Sequence, residues 1–218
     1  MARGGAAGPG KEVLGFFISG HPLEPFRPEV ELFSTRTTAT LGQWSEQVVR
    51  VAGVITAVRR QLAKKSGKEY ARLTLEDFHG TAEVLVFPDA WARLNQLLRE
   101  DVAVLLTGGY SARDRDEERA TMVVESARLL AEFRDAGAVG VALRWQAPSP
   151  PEPDLMRRAA ALCANHPGPA PVYIEWSDGN GEAVRLRARR LKVEPRDEVV
   201  HALKALLGAE AVHYVKAG

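Results

Sequence analysis

The 218-residue sequence is short of cysteine, aromatic side chains, net charge and long apolar runs. Its single cysteine, Cys163, excludes an intrachain disulfide framework and a cysteine-based zinc cluster. Five scattered histidines lack HExxH spacing, so no metal and no cofactor is expected. No apolar run approaches the ~20 residues that span a bilayer, so no membrane association is expected. Lys plus Arg total 29 against 28 for Asp plus Glu, a net charge of +1 that is silent about partners. Any preference for an anionic partner has to come from local clustering. Also missing are G-x-S-x-G, a P-loop, and a glycine-rich turn joining a strand to a helix. With no nucleophile, base and oxyanion donor in sight, the chain is not expected to be an enzyme. Glu76-Asp77 reads as a solvated turn; His21, His79, His166, His201 and His213 read as structural. Cys163 reads as a small buried hydrophobe.

Glycine and proline punctuate what is there. Residues 1–10 (MARGGAAGPG) read as a flexible leader or cloning remnant. Residues 11–47 read as a short helix from Glu12 to Phe26, then a connector that Pro22, Pro25 and Pro28 force into extended or turn structure. From Val48 the hydrophobic period becomes two. Val48–Leu62 is a long β-branched strand expected to bend at Gly53, and residues 63–68 (AKKSGK) form a hairpin loop. Strands Tyr70–Phe78 and Thr81–Phe87 flank a turn at His79-Gly80; a helix opens at Pro88 and runs to Glu100. Strands Val102–Ala112 and Arg119–Leu129 follow, joined by the charged loop RDRDEE. The order β-β-β-α-β-β over residues 48–130 is the wiring of the five-stranded OB-fold barrel.

Residues 137–218 read as a second domain, a small α+β sandwich with its helices on one face. Strand Ala138–Trp145 leads to helix Pro153–Asn165, then to a hairpin, Val172–Trp176 with Ala183–Arg190, around the turn 177–181. Helix Asp197–Leu207 ends at Gly208, and Ala211–Val215 is a last strand that could offer a free docking edge.

Charge clusters in one place. Arg59, Arg60, Lys64, Lys65, Lys68 and Arg72 crowd the first hairpin against Glu69 alone. In an OB-fold that hairpin and the outer face of the second and third strands form the oligonucleotide groove. With Leu73, Leu75, Val84 and Val86 inward, Tyr70, Arg72, Thr74, Leu85 and Phe87 face out. Rings interleaved with cations suit single strands, the rings stacking on bases and the cations following phosphates. In the second domain, Arg185, Arg187 and Arg189 alternate onto one strand face, with Arg190 beside them. They suit nucleic acid, an acidic protein partner or plain solvent.

LGFFISGHPL (Leu14–Leu23), VAGVITAVRR (Val51–Arg60) and ARLTLEDFHGTAEVLVFPDAW (Ala71–Trp91) resemble the C-terminal region of the bacterial DNA polymerase III alpha-subunit family. The resemblance runs from about Lys11 onward and is looser in the tail, through PVYIEW, the Arg-rich strand and VEPRDEVVHALKALLG. The LTLED…G…EV.VFP string is shared with other OB-folds, including tRNA-synthetase anticodon domains; SGHPL narrows it to the polymerase family. The resemblance implies a cytoplasmic bacterial protein of the replicative holoenzyme. It implies a barrel that binds single-stranded template DNA and a terminal domain that docks the tau subunit of the clamp loader. The family's catalytic carboxylates lie far upstream, and MARGGAAGPG does not match its sliding-clamp motif, so a fragment unable to polymerise is expected. Expected DNA contacts are Arg59, Arg60, Lys64, Lys65, Lys68, Tyr70, Arg72 and Phe87; expected partner contacts are Arg185, Arg187, Arg189 and Tyr214. The rivals are an RNA-binding module of anticodon type and a pure interaction scaffold.

Overall fold

A computed structural model describes residues 21–146, 152–177 and 183–217. The leader, most of the expected first helix and the 177–181 turn beyond Ser177 lie outside the described residues.

Turns occupy much of the connector, as one expected alternative had it, but its first part is helical. A 3-10 turn (Glu24–Phe26) runs into α1 (Arg27–Phe33), with prolines in the first turn of each. Proline is tolerated there because its missing N–H is one no helix would have bonded. It starts this helix rather than breaking it.

The barrel is closed in the order β1-β2-β3-β5-β4, an OB-fold. β1 (Val49–Leu62) is long enough to serve two partners. Its first half pairs antiparallel with β4 (Ala103–Gly109), its second with β2 (Glu69–Asp77). The irregularity between these halves falls between Ile55 and Ala57, not at the expected Gly53. Asp101 N–H donates to Ile55 carbonyl there at 2.8 Å. β3 (Gly80–Val86) follows β2 across a tight turn at Phe78-His79, one residue earlier than expected. It closes the barrel by a short parallel contact with β5 (Val123–Leu129) at Leu85 and Val123. Inside lie Val51, Ile55, Leu73, Leu75, Val84 and Leu106, all fully buried. α2 (Pro88–Leu94) plugs one end with Trp91 and stops short of the expected Glu100. Turns then bring Leu97 and Leu98 back onto the same core.

α3 (Leu130–Asp135), which links the two expected domains, packs with α1 outside the barrel on Ala52, Val54 and Leu105. The pair is pinned by Glu29, which is fully buried and accepts from Arg134 Nε at 3.1 Å. Burial pushes the Glu29 carboxyl above its usual range, against the pull of Arg134.

The second sheet has the order β8-β7-β6-β9. β6 (Val139–Gln146) runs parallel to β7 (Ala170–Ser177) through the crossover α4 (Pro153–Asn165). β8 (Ala183–Val193) hairpins back, and α5 (Asp197–Leu207) returns the chain to β9 (Val212–Lys216) beside β6. α4 and α5 bury Ala159, Cys163, Val200 and Leu203 against Val141, Leu143 and Val172 of one sheet face. β9 lies at a sheet edge, but α1 packs against it, with Lys216 Nζ 5.6 Å from the Phe33 ring centre. The other edge strand of the sheet is β8. No helix among the described residues is long and apolar enough to cross a membrane.

Candidate nucleic-acid interface

Strand register sorts the expected residues into rows across the outer face of β1, β2 and β3. Gln61 lies opposite Tyr70, and Phe87 follows β3 at the position that continues this row. The next row is Arg59, Arg72 and Leu85; the next is Ala57, Thr74 and Glu83. Ala71, Leu73 and Leu75 between them are fully buried, so the alternation assigns the outward positions correctly. Phe87 is 51% exposed, an unusual position for a large ring. The Tyr70 hydroxyl hydrogen-bonds Gln61 Oε1, which fixes the ring across the strands.

The cations divide into three kinds. Lys64 and Lys65 sit exposed on the β1–β2 loop and form no ion pair among the described residues. Arg59, Arg72 and Lys68 are paired: Arg59 Nη1 with Glu83 at 3.4 Å, Arg72 Nη1 with Glu83 at 3.9 Å, Lys68 Nζ with Asp89 at 3.2 Å. Arg60 has the opposite parity, across from buried Ala71, and its guanidinium lies 5.6 Å from the Trp91 ring centre. It therefore caps the α2 end of the barrel instead of joining the Arg59–Arg72 row. Trp91 Nε1 donates to Glu69 Oε2 at 2.9 Å, which occupies the one acid visible in the hairpin sequence.

Glu83 is the residue that sequence reasoning passed over. Its outward parity, shared with Leu85, was the available signal. A cavity of about 300 Å³ lined by Leu41, Gly42, Ala82, Glu83, Arg119 and Thr121 opens beside it.

Asp77 is not a solvated turn residue. It is 4% exposed and accepts from Thr38 N (2.8 Å), Thr38 Oγ1 (2.5 Å) and His79 N (2.7 Å), fastening the connector to the end of β2. Cys163 is fully buried, as its reading as a small buried hydrophobe expects, and burial pushes its thiol up to about 11. Among the described residues no group of three or more His, Cys, Asp or Glu could hold a metal ion.

On the sheet face away from α4 and α5, Glu175 is the centre of a second cluster. It binds Arg185 Nη2 at 2.6 Å, His213 Nε2 at 3.1 Å and Arg144 Nη2 at 3.2 Å. Burial pushes the Glu175 carboxyl up, but Arg185, His213 and Arg144 together hold it below its usual range. Arg187 stays on this face, paired with Tyr173. The expected alternation fails beyond it, because the β7–β8 register slips between Pro171-Lys192 and Tyr173-Arg187. Arg189 and Arg190 fall in that irregular stretch. Tyr214 is not part of the cluster: it packs on the helix side and its hydroxyl donates to Asp197 at 3.2 Å.

Known proteins resemble the chain over its barrel and beyond it. A family model described as an OB-fold nucleic acid binding domain matches residues 49–130, the barrel. Proteins named DNA polymerase III subunit alpha align with 93% of this chain: 26% identical in Pseudomonas fluorescens, 27% in Escherichia coli (strain K12) and 25% in Bacillus subtilis (strain 168). The chain is homologous to the DNA polymerase III alpha subunits. It spans about 17% of the length of the alpha subunits from P. fluorescens and E. coli. Solved structures align with a smaller share. A replication protein A heterotrimer bound to ssDNA is 18% identical over 38% of this chain and 56% of that one, TM-score 0.28. An asparaginyl-tRNA synthetase from Pyrococcus horikoshii is 16% identical over 45% of this chain and 22% of that one, TM-score 0.34.

Proposed function

We propose that this chain is a non-catalytic, cytoplasmic part of a bacterial replicative polymerase, divided at residues 48–130 and 137–218 into a DNA-binding barrel and a docking domain. The barrel binds single-stranded template DNA. The observation that carries this is the pair of adjacent rows on its outer face, Tyr70 and Phe87 beside Arg59 and Arg72, with Lys64 and Lys65 at the hairpin tip. Rings accept any base and cations follow the backbone, a combination fitted to a strand of changing sequence. The alpha-subunit relatives supply the replicative context. Titrating labelled oligo-dT across a salt series tests the barrel, and oligo-rU in parallel separates DNA from RNA preference.

The second sheet docks the tau subunit of the clamp loader through the face away from α4 and α5. Arg144 and Arg185 bind a single carboxylate, and Arg187 stands on the same face opposite Tyr173, leaving a cationic surplus suited to an acidic partner surface. Isothermal titration with purified tau is expected to show binding by the wild-type chain and loss in an Arg185→Ala, Arg187→Ala double variant. Undiminished binding by that variant would place the contact elsewhere.

A further inference from the structure

Glu83 holds two guanidiniums that come from different strands. One carboxylate oxygen is 3.4 Å from Arg59 Nη1 and the other 3.9 Å from Arg72 Nη1. Arg59 and Arg72 stand directly opposite one another in the β1–β2 ladder. Like charges so placed repel, and a carboxylate between them removes the repulsion. The side chains of all three are well exposed, Arg59 by 67%, Arg72 by 42% and Glu83 by 49%. Ion pairs this open to water are weak and exchange readily. A carboxylate also presents what a phosphodiester presents to paired guanidiniums: two oxygens on one centre, sharing one negative charge.

We propose that Glu83 is a built-in competitor, occupying the Arg59–Arg72 clamp in the free barrel and yielding it to a backbone phosphate when a single strand binds. The inference rests on the reading of this face as the strand-binding groove. Displacement leaves the carboxylate in the groove beside the incoming phosphate, so Glu83 lowers affinity without blocking the site. Asp89 stands in the same relation to Lys68, 3.2 Å away. Grip on the strand is thus set by competition inside the groove as well as by the number of cations.

The test is anisotropy of labelled oligo-dT at low salt with the full chain, using Glu83→Gln, Arg59→Ala/Arg72→Ala, the triple variant, and Glu210→Gln as a distant control. Glu83→Gln keeps the shape of the side chain and removes its charge. It is expected to bind about three- to ten-fold tighter than wild type, the range of two weak exposed pairs released together. The gain is expected to vanish in the Arg59→Ala/Arg72→Ala background, and Glu210→Gln to leave affinity unchanged. Wild-type binding with no gain in Glu83→Gln overturns the competitor while leaving the groove intact. A gain that persists without the two arginines overturns it too, assigning the effect to the general field. Absence of binding by both wild type and Glu83→Gln overturns the groove and the competitor together.

Discussion

Gly53 lies directly beneath Leu75, and the two strands meet there with no room for a side chain. A Cβ on residue 53 would stand 2.5 Å from Leu75 Cγ and 2.8 Å from the Glu76 carbonyl oxygen. Gly53 sits on β1 just before the strand changes partners from β4 to β2. The glycine permits close approach; the bend itself belongs to the irregular residues that follow.

Gly53→Ala is therefore expected to destabilise the chain by about 1–3 kcal/mol, the range for overpacking a core. Urea unfolding measures it. A midpoint equal to wild type would mean that β1 and β2 separate there at little cost.

His213 supplies a pH dependence. Burial lowers its pKa below the ordinary 6.5, and Arg144 and Arg185 add to the effect against the opposing pull of Glu175. Among the described residues its buried Nδ1 has no hydrogen-bond partner, so a second ring proton would find none there. The unfolded chain then binds a proton more readily than the folded one. The contribution of this group is fully present above pH 6.5 and is lost as pH falls from there through the lower folded-state value. Urea midpoints for wild type are expected to drop from about pH 7 to about pH 5, and His213→Gln to flatten that drop. An equal drop in the variant would assign it to other groups.

The two rings of the groove are expected to act on binding far more than on folding. Phe87 is half-exposed and Tyr70 partly buried at the barrel surface, so truncation removes little core. Stacking contributes about 1–3 kcal/mol per base, and Phe87→Ala or Tyr70→Ala should weaken oligo-dT binding about 5- to 100-fold. Circular dichroism melts should stay within a few degrees of wild type. Unchanged affinity in both variants would leave the rings as surface cover.

Much of this was legible because periodicity is local. The two-residue alternation of 70–87 assigned inward and outward positions correctly. Helices 153–165 and 197–207 carry amphipathic patterns, the first opened by Pro153 and the second closed by Gly208, and both lie where the pattern placed them. What escaped was set by distant partners. Glu83 meets Arg59 across 24 residues of chain, and Asp77 meets Thr38 across 39, so their neighbours in sequence look like ordinary surface or turn. Pro28 was read as a breaker because proline's role depends on whether a helix begins there, which its downstream packing on α3 decides. The Arg-rich strand lost its alternation because β8 carries extra residues relative to β7, a slip no composition reveals.

The most direct test of the central claim is the salt dependence of oligo-dT binding by the wild-type chain and by a Lys64→Ala/Lys65→Ala variant. These two lysines are the groove cations that form no ion pair among the described residues. Each phosphate contact contributes a slope of about −0.7 in log K against log salt for single strands, so three or four contacts predict about −2 to −3. The account predicts that slope for wild type and a slope shallower by about 1.4 for the double variant. A flat, near-zero response in wild type would contradict it and reduce the barrel to a spacer for the second sheet.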